Sequence, residues 1–331
     1  MRRFTLSVAG FALLAGVAAV VSVGGTQAKA RWVITGSVGD VRAYGWPVRP
    51  FDRSHPVRGN FCDPRIGMST ATFHFGIDIS APDGSPVYPT RSGVVYLRAD
   101  HPDVVGVTST DGHTRFEYWH ITPAVRSGER AVAYRTLLGS IKKGRGHVHL
   151  TEITDHVWLN PLRLGALTPY GDTTRPRVAT IRFERAGRPI PAARISGVVD
   201  LVADAYDLPA LPAPEPWTDL PVTPAVIRWR LLRGGIPLTG WRTVVDCSRS
   251  LPPASAFADV YAAGTRKNAP GRPGSFRYYL AQGWRADSLP HGDYRIEVTA
   301  LDIRGNCDER TLDFRVGWGV ASYGRNVPLS G

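Results

Sequence analysis

Short runs of β-branched and aromatic residues, broken at close intervals by proline and glycine, dominate this chain of 331 residues. Its 35 glycines and 27 prolines divide the sequence into short segments. Helical periodicity does not persist for more than a couple of turns before residue 170, so we predict an all-β fold. The strands expected in this part lie at Pro86–Tyr88, Gly93–Leu97, Val104–Thr108, Thr114–Ile121 and Thr136–Ile141.

A second set of strand-like runs follows the turn-rich stretch 168–172, which places a domain boundary near residue 170. Seven runs separated by turn residues favour an immunoglobulin-like β-sandwich over residues 171–331. Segments 208–224 and 254–274 are expected to be long inserted loops. The seven runs are Val178–Phe183, Gly197–Ala203, Val226–Leu232, Trp241–Val245, Phe276–Gln282, Tyr294–Leu301 and Thr311–Val316.

Residues 1–30 have the features of a secretory signal peptide. Arg2 and Arg3 precede the apolar run Phe4–Val23, and Ala28-Lys29-Ala30 has the small-residue pattern of a cleavage site. We therefore expect export, with a mature chain that starts near Arg31 and contains two domains, residues 31–170 and 171–331. The mature protein would be secreted or located in the cell envelope. The apolar run also reaches the lower limit for spanning a bilayer, so an uncleaved anchor is the alternative.

Two histidine motifs point to metal chemistry. His147 and His149 are two residues apart, so on a strand both side chains project from the same face. Upstream, His74 and Asp78 are separated by about 13 Å if the chain is extended, and a bend near Gly76 would be needed to bring them onto one ion. Two imidazoles and one carboxylate form a three-ligand zinc shell that leaves the fourth tetrahedral position for water, as in catalytic sites.

The stretch from Phe73 to Glu152 resembles the lysostaphin-type (LytM-like) zinc metallopeptidases. The sequences HFGID, GSPVYPTRSGVV, YWHI and HVHLTE follow the family's pattern in order, over roughly 80 residues. The resemblance implies a LytM-like β-sheet peptidase domain in residues 31–170. It further implies that one Zn²⁺ per chain is held by His74, Asp78 and His149, with His120 and His147 as the remaining active-site histidines. The turn Lys142–Gly146 is shorter and more basic than in many members of the family.

The resemblance implies catalysis without a side-chain nucleophile, because zinc acidifies a bound water and polarises a peptide carbonyl. His120 and His147 could each accept the water proton, stabilise the oxyanion or protonate the leaving amine, and the sequence does not apportion these roles. Glu152 lies on the strand face opposite His147 and His149. A structural ion pair or an edge role is therefore expected for Glu152, with a contact to the ligands as the alternative.

The remaining histidines are expected to be ordinary surface or loop residues. They are His55, His101, His113, His156 and His291. Export permits disulfides, and Cys247 and Cys307 form the expected pair because both follow strand-like runs of the C-terminal part. Cys62 is expected to be a free or buried thiol.

The charge of the chain favours an anionic partner. Its formal net charge is +12, and removal of Arg2, Arg3 and Lys29 with the signal would leave about +9, which suits the bacterial cell wall. No basic helix, zinc finger or RNP-like motif indicates nucleic acid. The family resemblance implies peptidoglycan peptides as the substrate, either glycine bridges or D-alanyl cross-links. The alternatives are a non-hydrolytic wall-binding or regulatory protein, and an adhesion protein with an accessory peptidase.

Overall fold

A computed structural model describes residues 43–67 and 71–317. The predicted signal sequence, residues 1–30, lies outside this range. The described residues form an all-β structure with short helical turns, as predicted. None of the helices formed by these residues has the length and apolar character needed to cross a membrane.

The part of the chain before residue 170 contains a large antiparallel sheet with the strand order β1-β4-β12-β8-β7-β6-β10, in which β13 also pairs with β12. A smaller sheet has the order β5-β11-β9, and β2 pairs with β3. The strands are β1 (Val57–Gly59), β2 (Pro64–Arg65), β3 (Thr72–Phe73), β4 (Ile77–Ser80), β5 (Pro86–Val87), β6 (Gly93–Leu97), β7 (Val104–Ser109), β8 (Thr114–Trp119), β9 (Ile121–Pro123), β10 (Arg130–Ala131), β11 (Gly139–Ile141), β12 (His147–Thr154) and β13 (Val157–Leu159).

The predicted strand Thr114–Ile121 is divided in two in the structure. His120 has a φ of +66°, which ends β8 and starts β9 in a different sheet. A non-glycine residue with positive φ cannot continue a strand, and such conformations are often found at functional sites. The predicted strand Thr136–Ile141 is shorter than expected and begins at Gly139.

Strand β12 lies in the middle of the large sheet, and every residue from His147 to Ile153 is buried. Its register pairs His149 with Asp78 of β4 on one side and with Trp119 of β8 on the other. Because side chains alternate along a strand, His147 and His149 share one face. Val148 and Leu150 project from the opposite face into the hydrophobic core.

The part of the chain after residue 170 forms two antiparallel sheets, with the orders β15-β14-β16-β20 and β18-β17-β21-β22; β19 also pairs with β17. The sheets face each other through aromatic rings, since Phe183 and Phe314 have centroids 5.0 Å apart. The elements are β14 (Arg177–Arg185), β15 (Arg188–Ile190), β16 (Val198–Tyr206), β17 (Val226–Arg233), β18 (Ile236–Pro237), β19 (Arg242–Asp246), α1 (Phe257–Val260), β20 (Arg277–Arg285), β21 (Gly292–Leu301) and β22 (Cys307–Val316), with 3₁₀ turns at Ala254–Ala256 and Ala286–Ser288.

The two β parts, as far as residues 43–67 and 71–317 describe them, contact each other extensively and belong to one compact unit. Thr223 donates its backbone N–H to Asp63 Oδ1 at 2.9 Å, and Tyr261 donates its hydroxyl to the carbonyl oxygen of Cys62 at 2.8 Å. Arg304 donates to the carbonyl oxygen of Leu162 at 2.8 Å. The named sheets do not exchange strands across residue 170, so the predicted boundary separates the sheets but not the packing.

The disulfide prediction was wrong. The bond joins Cys62 to Cys247, with a Cα–Cα distance of 6.3 Å, and Cys307 is the free cysteine of the described residues. Cys247 follows β19 and Cys307 begins β22, and these strands are separated in their sheet by β17 and β21. Three strand spacings amount to about 14 Å, whereas a disulfide requires Cα atoms within about 7 Å.

Candidate metal centre

The chain bends at Gly76, as predicted, between the end of β3 and the start of β4. A Cβ at this position would stand 2.4 Å from the carbonyl oxygen of Leu150 and 2.6 Å from Nε2 of His149. Only glycine lets the backbone pass this close to β12. The bend turns His74 back towards Asp78. Both side chains thereby lie close to His149.

His74, Asp78 and His149 converge within the sheet. Nε2 of His74 lies 2.7 Å from Nδ1 of His149. Asp78 Oδ1 lies 3.2 Å from the first nitrogen and 3.0 Å from the second. Tetrahedral ligands at the usual zinc distances stand about 3.3 Å apart, so the three donor atoms are spaced as a zinc shell requires, slightly contracted.

The hydrogen bonds of the two imidazoles orient their lone pairs towards this point. His74 donates its Nδ1–H to the carbonyl oxygen of Asn60 at 2.8 Å, which leaves Nε2 without a proton. With Nε2–H of His149 donating to the Thr151 hydroxyl at 2.9 Å, Nδ1 presents a second lone pair. Two nitrogen lone pairs and a carboxylate oxygen then face one another, an arrangement that a cation stabilises. The residues present therefore fit a zinc ion.

Charge and burial act on these ligands in the directions that metal binding needs. Burial opposes the charge of Asp78, but neighbouring positive charge, including that of Arg65, outweighs it and holds the pKa of this carboxyl well below its usual range. Nη2 of Arg65 lies 2.7 Å from Asp78 Oδ2, so the carboxylate is fixed from behind. Burial lowers the pKa of His149 to about 3, which keeps its ring neutral and able to bind a metal.

His147 and His120 lie beside the three converging residues, with ring centroids 4.8 Å apart. Nδ1 of His147 lies 2.7 Å from the carbonyl oxygen of Arg145, and Nε2 faces Asp78 Oδ1 at 3.5 Å. Nδ1 of His120 lies 3.5 Å from Asp103 Oδ2. Burial lowers the pKa of both rings, that of His147 to about 4, so both are neutral proton acceptors at neutral pH. The structure thus brings all five sequence-predicted residues together.

Different side chains flank the two sides of the centre. Phe75 and Trp119, with centroids 5.4 Å apart, lie next to the His149 ring. Arg58 lies on β1, on the other side of β12 from Trp119 in the strand order. One flank is therefore aromatic and the other is basic.

Glu152 does not take part in the centre. Its carboxylate accepts two hydrogen bonds from Arg163, both at 2.6 Å, and one from the Tyr44 hydroxyl at 2.5 Å. All three residues are buried. This is the structural ion pair that the strand alternation predicted.

His101 also lies near the centre, since its ring centroid is 4.9 Å from that of Trp119.

Sequence reasoning missed the residues that hold the ligands in place. They are Asn60, Arg65, Asp103 and Thr151, together with Arg58 and Gly59. Thr151 could have been found, because it continues the face of His147 and His149 two residues further along the strand. The others come from separate loops and strands and left no local signal.

Comparison of the sequence with protein-family models finds no match, and comparison with curated proteins finds none either. Several solved peptidase structures are similar. The catalytic domain of the antimicrobial peptidase lysostaphin from Staphylococcus simulans is 20% identical, with a TM-score of 0.28, over 31% of this chain and 86% of that domain. A zinc-containing peptidase from Vibrio cholerae is 19% identical, with a TM-score of 0.30, over 36% of this chain and 39% of that chain.

A separate structure of the antimicrobial peptidase lysostaphin from Staphylococcus simulans is 14% identical, with a TM-score of 0.32, over 85% of this chain and 95% of that chain. These identities and TM-scores are too low to support inferences about chemistry. The interpretation of the centre therefore depends on its own residues.

Proposed function

We propose that this chain is an exported zinc-dependent endopeptidase that hydrolyses peptide bonds of bacterial peptidoglycan. The observation that carries the proposal is the convergence of His74, Asp78 and His149 beside two further neutral histidines. A closed structural zinc site has four protein ligands, whereas three ligands with adjacent proton acceptors are typical of hydrolytic centres.

His74, Asp78 and His149 would hold the ion, which when bound supplies Lewis-acid activation of water and of a peptide carbonyl. His147 and His120 supply the proton transfers. Each presents a neutral ring that can accept a proton, and the resulting imidazolium can return it to the leaving amine. Asp103, beside Nδ1 of His120, stabilises the charged form of that ring.

The family resemblance of the motifs supports peptidoglycan as the substrate, and the basic charge agrees with an anionic polymer. In the same proposal, residues 1–30 act as the signal peptide and residues 31–170 form the LytM-like peptidase domain. Residues 171–331 form the immunoglobulin-like β-sandwich, and the protein acts outside the cell or in the envelope.

The proposal is tested with purified protein on isolated cell walls, with and without a chelator. We expect new amino termini in the peptides, intact glycan strands by mass spectrometry, and loss of activity with the chelator. Release of reducing sugar without new amines would contradict a peptidase. Activity on denatured casein but none on walls would contradict the substrate. Binding to walls without any hydrolysis would instead support the non-hydrolytic alternative.

A further inference from the structure

A basic rim next to the centre has no role in the proposed chemistry. It consists of Arg58 on β1 and the turn Lys142–Arg145 between β11 and β12. The side chains of Lys142, Lys143 and Arg145 are exposed. The turn adjoins both histidines beside the centre, because Lys142 donates its N–H to the carbonyl oxygen of His120 at 2.8 Å and Arg145 precedes His147 by two residues.

The guanidinium of Arg58 is held at this rim by contacts from both β parts. Nη2 donates to the carbonyl oxygen of Arg145 at 2.7 Å and lies 2.5 Å from Nδ1 of His147. Cζ lies 4.3 Å from the centroid of the Trp217 ring, which belongs to the proline-rich segment 208–224. A charged group stacked on an aromatic ring is pre-ordered, so less entropy is lost when it binds a ligand.

The positive charge of Arg58 is not neutralised by an ion pair within the described part of the chain. Arg65, on the next strand along the chain (β2), contrasts with it because its guanidinium is paired with Asp78. Asp83 accepts hydrogen bonds from the N–H groups of residues 144–146 at 2.6–3.1 Å, and its negative charge acts on Lys143 and Arg58. Arg58, Lys142, Lys143 and Arg145 together outnumber this carboxylate, so the rim keeps a net positive charge.

We propose that Arg58 and the turn Lys142–Arg145 form an anion-binding subsite, and that the peptide cleaved at this centre carries a free carboxylate close to the scissile bond. Arg58 contacts Nδ1 of His147, and Nε2, which faces Asp78, lies on the other side of the same ring. One residue of an extended peptide spans about 3.5 Å. The carboxylate would therefore belong to a residue one or two positions from the bond. A guanidinium binds a carboxylate through two parallel hydrogen bonds.

This inference rests on the proposed function and makes it narrower. A glycine bridge without a nearby carboxylate would not use the rim, whereas a peptide cross-link between residues that retain a free carboxyl would. Trp217 would make residues 171–331 part of the specificity of the centre, since it positions Arg58 from the second β part.

The test uses two short synthetic peptides that differ only in a free carboxylate or a carboxamide next to the scissile bond. We expect the wild-type protein to cleave the carboxylate peptide with a kcat/KM about tenfold higher or more, the usual effect of a charged hydrogen bond. Arg58→Gln should bring the ratio of the two kcat/KM values close to one. Arg188→Gln, which removes the same charge from exposed strand β15, should keep the wild-type ratio.

Zinc content and thermal melting show whether Arg58→Gln folds. If it does not, a double variant with Lys142→Gln and Lys143→Gln, which changes exposed side chains, replaces it in the test. It should lower the ratio in the same direction. Equal cleavage of both peptides by the wild type would overturn the subsite, as would a wild-type ratio in the folded variants.

Titration calorimetry with the same peptides separates the two proposals. If the wild type cleaves neither peptide but binds the carboxylate form more tightly, and Arg58→Gln loses that preference, the subsite stands and the peptidase proposal fails. If there is neither cleavage nor a binding preference, both fail.

Discussion

At the scale of single residues, Asp78 shows how the centre combines opposing effects. Its Oδ1 faces two histidines while Oδ2 is bound by Arg65. A buried carboxylate without these partners would tend to take up a proton. The same partners that keep it charged also fix its direction, so Asp78 is prepared as a ligand before any ion binds.

We therefore predict that Asp78→Asn and His149→Ala lose zinc. Each variant removes one of three protein ligands, and the remaining shell is too poor to hold the ion tightly. Elemental analysis after dialysis should give about one zinc per wild-type chain and almost none in either variant. Asp100→Asn changes an exposed aspartate that pairs with Arg98 and His101, and as the control it should retain zinc. Full zinc content in both ligand variants would disprove the assignment.

His120→Ala and His147→Ala should separate binding from catalysis. Neither ring belongs to the three converging residues, so both variants should keep the metal. Turnover should fall by about 10²- to 10⁴-fold in each, the usual contribution of a positioned acid or base. Steady-state kinetics on a cell-wall peptide, alongside metal analysis, provides the measurement. Zinc loss in His147→Ala would make it a ligand, and normal turnover in either variant would remove that residue from the mechanism.

At the scale of elements, the approach of the β3–β4 bend to β12 determines where the ligands meet. Gly76→Ala should destabilise the protein by about 1–3 kcal/mol, the usual cost of overpacking, because its Cβ would meet the Leu150 carbonyl oxygen. Zinc affinity should fall as well, since the same Cβ would stand 2.6 Å from Nε2 of His149 and would displace this ring. Gly171→Ala, where a Cβ meets nothing within 4 Å, is the matched control. Urea unfolding and zinc titration of both variants test this; equal behaviour would be evidence against the close approach.

A cluster of three carboxylates lies where loops of the second β part meet, formed by Asp172, Asp207 and Asp302. Burial, together with the charge of Asp172, raises the pKa of Asp207 to about 8. An acid with a raised pKa in the folded state binds its proton more tightly there than when unfolded, so its contribution to stability falls as the pH rises from about 4 to 8.

Asp207→Asn should therefore melt at a higher temperature than the wild type at pH 8, and the difference should shrink towards pH 4. Calorimetry across this range is the measurement. The exposed Asp246→Asn provides a comparison. A wild type that is more stable than Asp207→Asn at pH 8 would show that this carboxylate is stabilised by a partner.

The sequence predicted most strands because their signal is local, and the family resemblance of the motifs named the five residues that the structure brings together. Alternating runs such as that in β21 specify their own buried face, and His147 and His149 share a face through strand geometry alone. The contacts of Arg58 with Trp217 and of Cys62 with Cys247 depend on how the two β parts pack. The latter pair is 185 residues apart, and nothing near either residue indicates its partner.

At the scale of the whole molecule, the disulfide ties the part that contains the candidate metal centre to the second β part. Non-reducing peptide mapping should link Cys62 to Cys247 and find Cys307 as a thiol. Cys62→Ser together with Cys247→Ser should lower the free energy of unfolding by about 2–5 kcal/mol, as for other native disulfides. Cys307→Ser should have little effect on the same measurement. A map that links Cys307 to either other cysteine would contradict the fold.

The chain contacts around Cys62 extend the importance of this bond beyond stability. Cys62 donates its N–H to the carbonyl oxygen of His74, and Asn60, two residues earlier, accepts the hydrogen bond that orients the His74 ring. With His74 as a zinc ligand, as proposed above, reduction of the disulfide should loosen the loop that orients this ring, so redox state and metal occupancy would form one thermodynamic cycle. Coupling in such a cycle is reciprocal: an oxidising environment would raise metal affinity, and bound metal would make the disulfide harder to reduce by the same factor.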